Sequence, residues 1–183
     1  MNKTVAFFFL LMSFSCGTKT KQVKETFATV KNEEAQLPEG SFNIELQIDK
    51  VDGELYSFST SLELDSGAYV VSPFSEDEFY GPFQISILDS RHLIIDERLL
   101  EIPKSVEEND PYINVPVRFV RENTVYKQNI KLLTEEDFEV SGLIEFVLEP
   151  SCKPYSVEFI LSYHSDTMTI EKTKTSIDYK IYR

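Results

Sequence analysis

The chain has 183 residues, a net charge of −13, and an aromatic content carried by 14 Phe and 9 Tyr with no Trp. The length suffices for one domain of ordinary size. The charge argues against a nucleic-acid binder, which must neutralise phosphates with Lys and Arg, and against a protein lying flat on anionic lipid.

Chain order begins with a segment built like a secretory signal. Lys3 supplies a positive start, and an apolar run from Val5 to Phe14 follows, with Ser13 and Ser15 as small residues near its end. The run is about ten residues long, whereas a helix needs about 20 to span a bilayer. Cys16 stands where the run stops, followed by Gly17 and polar residues. The stretch Ser13-Phe14-Ser15-Cys16 resembles the lipobox of bacterial lipoproteins, departing from it at Ser13 and Phe14. The resemblance implies cleavage before Cys16, lipidation of its thiol, and a membrane anchor in a bacterial cell envelope, facing periplasm or cell surface. The expected organisation is a signal peptide over 1–15, a lipidated cysteine and flexible tether over 16–40, and a β-sandwich domain over 41–183. The tether reading rests on a stretch rich in Lys, Thr and Glu, with too few apolar residues to offset ordering entropy.

From Phe42 onward the apolar period is two. Phe42, Ile44, Leu46 and Ile48 alternate with polar residues, which predicts a half-buried strand. Asp52-Gly53 signals a hairpin turn, and Leu55 to Leu64 reads as the return strand. Asp65-Ser66-Gly67 turns the chain into Ala68 to Val71. A loop with Pro73 and the acids Glu76, Asp77 and Glu78 precedes an alternating strand at Phe83, Ile85 and Ile87. Leu93 to Leu100 is ambiguous and ends at Pro103, and Val106 to Pro111 reads as acidic loop. Val115, Val117 and Phe119 alternate, followed by a strand from Val125 to Leu133 and an acidic loop from Thr134 to Asp137. Ile144, Phe146 and Leu148 alternate, as do Val157, Phe159, Leu161 and Tyr163. The polar stretch from Met168 onward reads as an edge strand or a frayed tail. About seven to nine short strands with turns at regular spacing predict an all-β, immunoglobulin-like β-sandwich.

Few residues suggest chemistry. If Cys16 carries lipid, Cys152 has no partner thiol in the chain and is a buried, inert residue, a thiol for disulfide exchange, or one that forms an intermolecular bridge. His92 and His164 lie outside any zinc spacing. A Cys152–His164 dyad would need the chain to fold back, since the intervening residues span up to about 40 Å when extended. The acidic groups Glu76-Asp77-Glu78, Glu107-Glu108-Asp110 and Glu135-Glu136-Asp137 match no calcium loop and read as solvated loop charge. Tyr56, Tyr69, Tyr80, Tyr112, Tyr126 and Tyr155 are candidates for a binding face, although core packing explains them equally well. No phosphate loop or nucleophile elbow occurs, so no cofactor or metal is expected.

The segments Asn123-Thr124-Val125-Tyr126-Lys127, Gly142-Leu143-Ile144-Glu145-Phe146 and Pro150-Ser151-Cys152-Lys153-Pro154-Tyr155 are similar in order and spacing to the end of one periplasmic domain. That domain is the N-terminal one of the transmembrane thiol:disulfide interchange reductases. The resemblance covers Asn123 to Tyr163. It implies an immunoglobulin-like fold and, through Cys152, a link to thiol redox work, although the family's second cysteine is absent here. The expected function is therefore a membrane-anchored, non-enzymatic binding or assembly module. Its expected partners are the membrane, through lipid on Cys16, and another envelope protein, a peptide or a glycan. The alternative is a thiol-redox accessory domain using Cys152.

Overall fold

The computed structural model describes residues 42–76, 81–88, 91–110 and 114–177. The leader, Cys16 and the tether lie outside the described residues, as do Asp77, Glu78, Tyr80 and Tyr112. Among the described residues the regular structure is entirely β, and no helix is long and apolar enough to cross a membrane.

The strands are β1 (Phe42–Asp52), β2 (Leu55–Leu64), β3 (Val70–Val71), β4 (Gln84–Ile87), β5 (Leu93–Ile95), β6 (Leu100–Ile102), β7 (Val106–Asn109), β8 (Pro116–Val120), β9 (Thr124–Leu132), β10 (Phe138–Leu148), β11 (Lys153–His164) and β12 (Thr167–Ile177). They form three antiparallel sheets. The first runs β1-β2-β9-β5, with β6 also paired to β9; the second runs β12-β11-β10-β4; the third runs β3-β8-β7. The count exceeds the expected seven to nine because several strands are only two to four residues long.

The first two sheets face each other across one core. Alternation decides which side chains enter it: in β2, Tyr56, Phe58, Thr60 and Leu62 are buried while their neighbours are not. Aromatic pairs tie the sheets together. Phe42 of β1 meets Phe146 of β10 and Tyr155 of β11 edge-on at 5.0 and 4.7 Å. Phe58 of β2 packs on Phe159 of β11 at 5.6 Å, and Phe83 stacks on Tyr126 of β9 at 4.4 Å. Such contacts add to the free energy of burying their area.

Two glycines are dictated by the backbone. Gly53 has φ +47°, a left-handed conformation that closes the β1–β2 hairpin after Asp52. Gly142 of β10 lies directly across from Phe159, whose ring occupies the space a β-carbon would fill.

The third sheet has its own small apolar cluster of Val71, Val117 and Phe119, with Tyr69 against it. A bridge between Tyr69 and Glu149 fastens it beside the end of β10. Arg121 lies over the rings of Tyr69 and Phe119, at 4.3 and 4.9 Å, and is held by both carboxyl oxygens of Glu108 at 3.1 Å. The stretch read as acidic loop from Val106 thus contains β7. All four of its side chains are exposed, so it carries no burial pattern, and its pairing comes from β8.

Candidate functional site

Cys152 sits in the turn between β10 and β11, is exposed, and adopts φ +50°. Its backbone N–H donates to Glu149 Oε2 at 3.3 Å, and its thiol donates to the same oxygen at 3.2 Å. The carboxyl group of Glu149 raises the thiol pKa above its ordinary value, through the hydrogen bond first and charge second. An activated thiol needs the reverse, a cation or a helix N-terminus that stabilises the thiolate. The expectation of burial fails, since Cys152 is exposed, while the raised pKa disfavours the reactive thiolate.

His164 ends the strand that Cys152 precedes, so the two lie a full strand apart, about 40 Å at the extended rise per residue. The structure brings no dyad together. His164 Nδ1 instead contacts Asp137 Oδ2, and His92 stacks on Phe138 at 4.9 Å. Of the acidic residues, Glu107 and Glu108 pair with Arg118 and Arg121. Among the described residues no group of three potential ligands converges on a metal-sized site. Among the described tyrosines of that set no shared face forms, because Tyr56, Tyr126 and Tyr155 are core residues and Tyr69 packs under Arg121.

The feature with the shape of a binding site lies elsewhere. β5 pairs with Ile130–Leu132 of β9 and β6 with Val125–Lys127, on the same flank of β9. Between them the chain bulges at 96–99. Asp96 Oδ1 accepts from Arg98 N–H at 3.0 Å, and the Gln128 side-chain amide donates to Asp96 O at 2.9 Å. The bulge offsets β6 from β5. Pro103, which has no N–H to donate, ends β6.

β6 is inverted relative to an ordinary amphipathic strand. Glu101 points inward and is 4% exposed, whereas Leu100 and Ile102 point outward at 55% and 51%. Glu101 is held by two hydrogen bonds of 2.7 Å, from the Ser72 hydroxyl and from the Ser105 backbone N–H. Ser72 in turn accepts from Phe74 N–H at 3.1 Å. One buried carboxyl group thereby fixes β6, the 103–105 turn and the segment carrying Phe74. It also lies near the Tyr126 hydroxyl, which is buried and has no partner in hydrogen-bond geometry. Burial first, and Glu101 second, drive the Tyr126 pKa far above its ordinary value.

These elements enclose an open groove of about 490 Å³. Its apolar wall is Phe74, Leu99, Leu100 and Ile102, and Lys104, Ser105 and Arg118 line its polar side. Arg118 donates to Ser105 O at 3.2 Å and pairs with Glu107 at 3.3 Å. Lys104 has no hydrogen-bond or ion-pair partner among the described residues. The Ser105 hydroxyl is buried without a partner. Sequence reasoning missed this site. Its signal is an acid set between alternating apolar residues, Leu100-Glu101-Ile102, immediately before a proline.

Fold and site together define an all-β sandwich with an apolar groove beside a sheet edge. No family model matches the chain, and no curated protein matches it.

Proposed function

We propose that this protein is a bacterial envelope lipoprotein, lipid-anchored through Cys16, whose β-sandwich acts as a non-enzymatic binding or assembly module for another envelope component. The anchor rests on the leader and on Cys16. The binding role rests on one observation: the groove at β6 exposes Phe74, Leu100 and Ile102 around a fixed, hydrogen-bonded floor. Contiguous apolar surface with a polar rim is the usual mark of an interaction site.

Two measurements test the proposal. Mass spectrometry of the mature N-terminus should find Cys16 carrying lipid. A photo-crosslinking side chain in place of Leu100 should capture a discrete partner in intact cells, while one in place of exposed Thr169 on β12 should not. An unmodified N-terminus, or equal capture at both positions, refutes the corresponding half.

The redox alternative draws support from the exposure of Cys152. Its raised thiol pKa and the lack of a second cysteine among the described residues favour the binding reading over it.

A further inference from the structure

Among the described residues the strand order leaves the outer flank of β6 without a partner strand. In an antiparallel pair, residues alternate between directing N–H and C=O towards the neighbouring strand and away from it. Whichever alternation β6 follows, part of its backbone polar groups face outward beside the groove. Such an edge is a template for a further strand, and proteins that must not recruit one guard it with charge or bulges.

Two other edges are guarded by charge. β12 carries exposed Glu171, Lys172, Thr173 and Lys174, and its pairing with β11 is bulged at Glu158/Phe159. The Lys172 ammonium also donates to Ile44 O of β1 at 2.9 Å, which covers that edge. β7 presents Glu107, Glu108 and Asn109 beside an exposed Val106. β6 presents Leu100 and Ile102 instead, with Ile94 of β5 exposed further along.

From this contrast we infer that the β6 groove takes an extended peptide segment of another protein. That segment pairs with the free flank of β6, places alternate apolar side chains against Leu100, Ile102 and Phe74, and presents a carboxylate to Lys104. The inference rests on the binding-module reading and names the partner's chemistry. The backbone decides between occupants. A fatty-acid-like amphiphile would fill the apolar wall and meet Lys104 but leave the β6 polar groups unpaired, whereas a strand satisfies both. Charge sets the partner's sign. In a chain of net charge −13, Lys104 is a cation at this groove without a partner among the described residues. A second copy of the chain would bring the same net charge to the interface and is disfavoured.

The test is selection of random short peptides displayed on phage against the full-length protein. Enriched clones should alternate apolar and polar residues and contain Asp or Glu. Their affinity should fall at least about tenfold on Leu100→Glu, which alters an exposed residue and leaves the core intact. Lys104→Glu should weaken acidic clones and strengthen versions with Lys in place of the acid. N-methylation of a bound peptide at alternate residues should abolish binding in one phase and not in the other. No enrichment, or binding insensitive to Leu100→Glu, overturns the inference. So does sodium laurate binding at the groove while no peptide does. If crosslinks from position 100 persist in cells while no peptide is enriched, the partner docks as a folded surface; the binding module then stands and the extended-strand inference falls. If both fail, both fall.

Discussion

Glu101 is the residue on which the groove's shape depends, and its replacement has a calculable consequence. Two donors terminate on it at 2.7 Å, the Ser72 hydroxyl and the Ser105 N–H. They differ in what they can do without it. Ser72 is fully buried, but its hydroxyl can rotate towards another acceptor; the Ser105 N–H is fixed by the backbone and cannot. In Glu101→Gln the side-chain shape persists and one oxygen becomes an amide donor, which faces one of the two existing donors. The loss of one good hydrogen bond, with a donor–donor contact in its place, costs about 1–3 kcal/mol. In Glu101→Ala both donors lose their acceptor, and relief from burying the carboxyl group returns part of that, leaving about 2–4 kcal/mol. Urea denaturation of both variants, with the slope checked for constancy, measures the differences. The double variant Glu101→Gln/Ser72→Ala should be less destabilised than the sum of the singles by at least about 0.5 kcal/mol, because the residues share a bond. A Glu101→Gln protein within about 0.5 kcal/mol of the parent, or strict additivity with Ser72→Ala, would refute the view that this carboxyl group organises the floor.

Other outcomes follow from the same structure. Gly142→Ala would set a β-carbon 2.1–2.7 Å from the ring of Phe159, which is buried against Phe58, so about 2–3 kcal/mol should be lost; thermal melting measures it, and Phe159→Leu should partly rescue it. Tyr126→Phe removes a buried hydroxyl with no partner and should change stability at pH 7 by less than about 1 kcal/mol, a larger loss in chemical denaturation telling against this environment. At high pH the sign is set by linkage. The folded Tyr126 and Tyr69 phenols have pKa values raised above those of the unfolded chain, so their contribution is intact below about pH 10 and lost as pH rises beyond it. Tyr126→Phe should therefore move the alkaline unfolding midpoint upward, which far-ultraviolet circular dichroism against pH would show. Native Cys152 should react with iodoacetamide at pH 8 more slowly than free cysteine, and Glu149→Gln should accelerate it; equal rates would mean that Glu149 does not control the thiol.

Segments with one wet and one dry face were readable in the sequence nearly to the residue. Leu55–Leu64 matches β2, and Val125 to Leu133 differs from β9 by one residue at each end. The reading failed where pairing and burial part company. Val106–Asn109 has no buried side chain, so its strand is fixed by β8 and by the ion pairs of Arg118 and Arg121 with Glu107 and Glu108. Leu93 to Leu100 was ambiguous because the bulge at 96–99 splits it into two strands with different offsets on β9. The tyrosines could not be sorted by type alone. The same ring that makes a contact surface also fills a core, and only the register of β2, β9 and β11 places Tyr56, Tyr126 and Tyr155 inside.

The site itself was legible in principle, through an inversion. In a half-buried strand the apolar side chains face in and the polar ones face out. Leu100-Glu101-Ile102 satisfies that alternation with either polarity, and its surroundings choose the unusual one. Ser72 and the Ser105 N–H provide an inward acid with two donors, while an inward Leu100 and Ile102 would leave those donors facing hydrocarbon. The short strand therefore settles with its carboxyl group in and its apolar pair out. Burial of one acid is coupled to exposure of two hydrophobes. A protein selected only for stability would replace Leu100 and Ile102 with polar residues at no loss to the core, since neither contributes to it. Their exposure at an edge left unpaired among the described residues is what the proposed partner strand would cover.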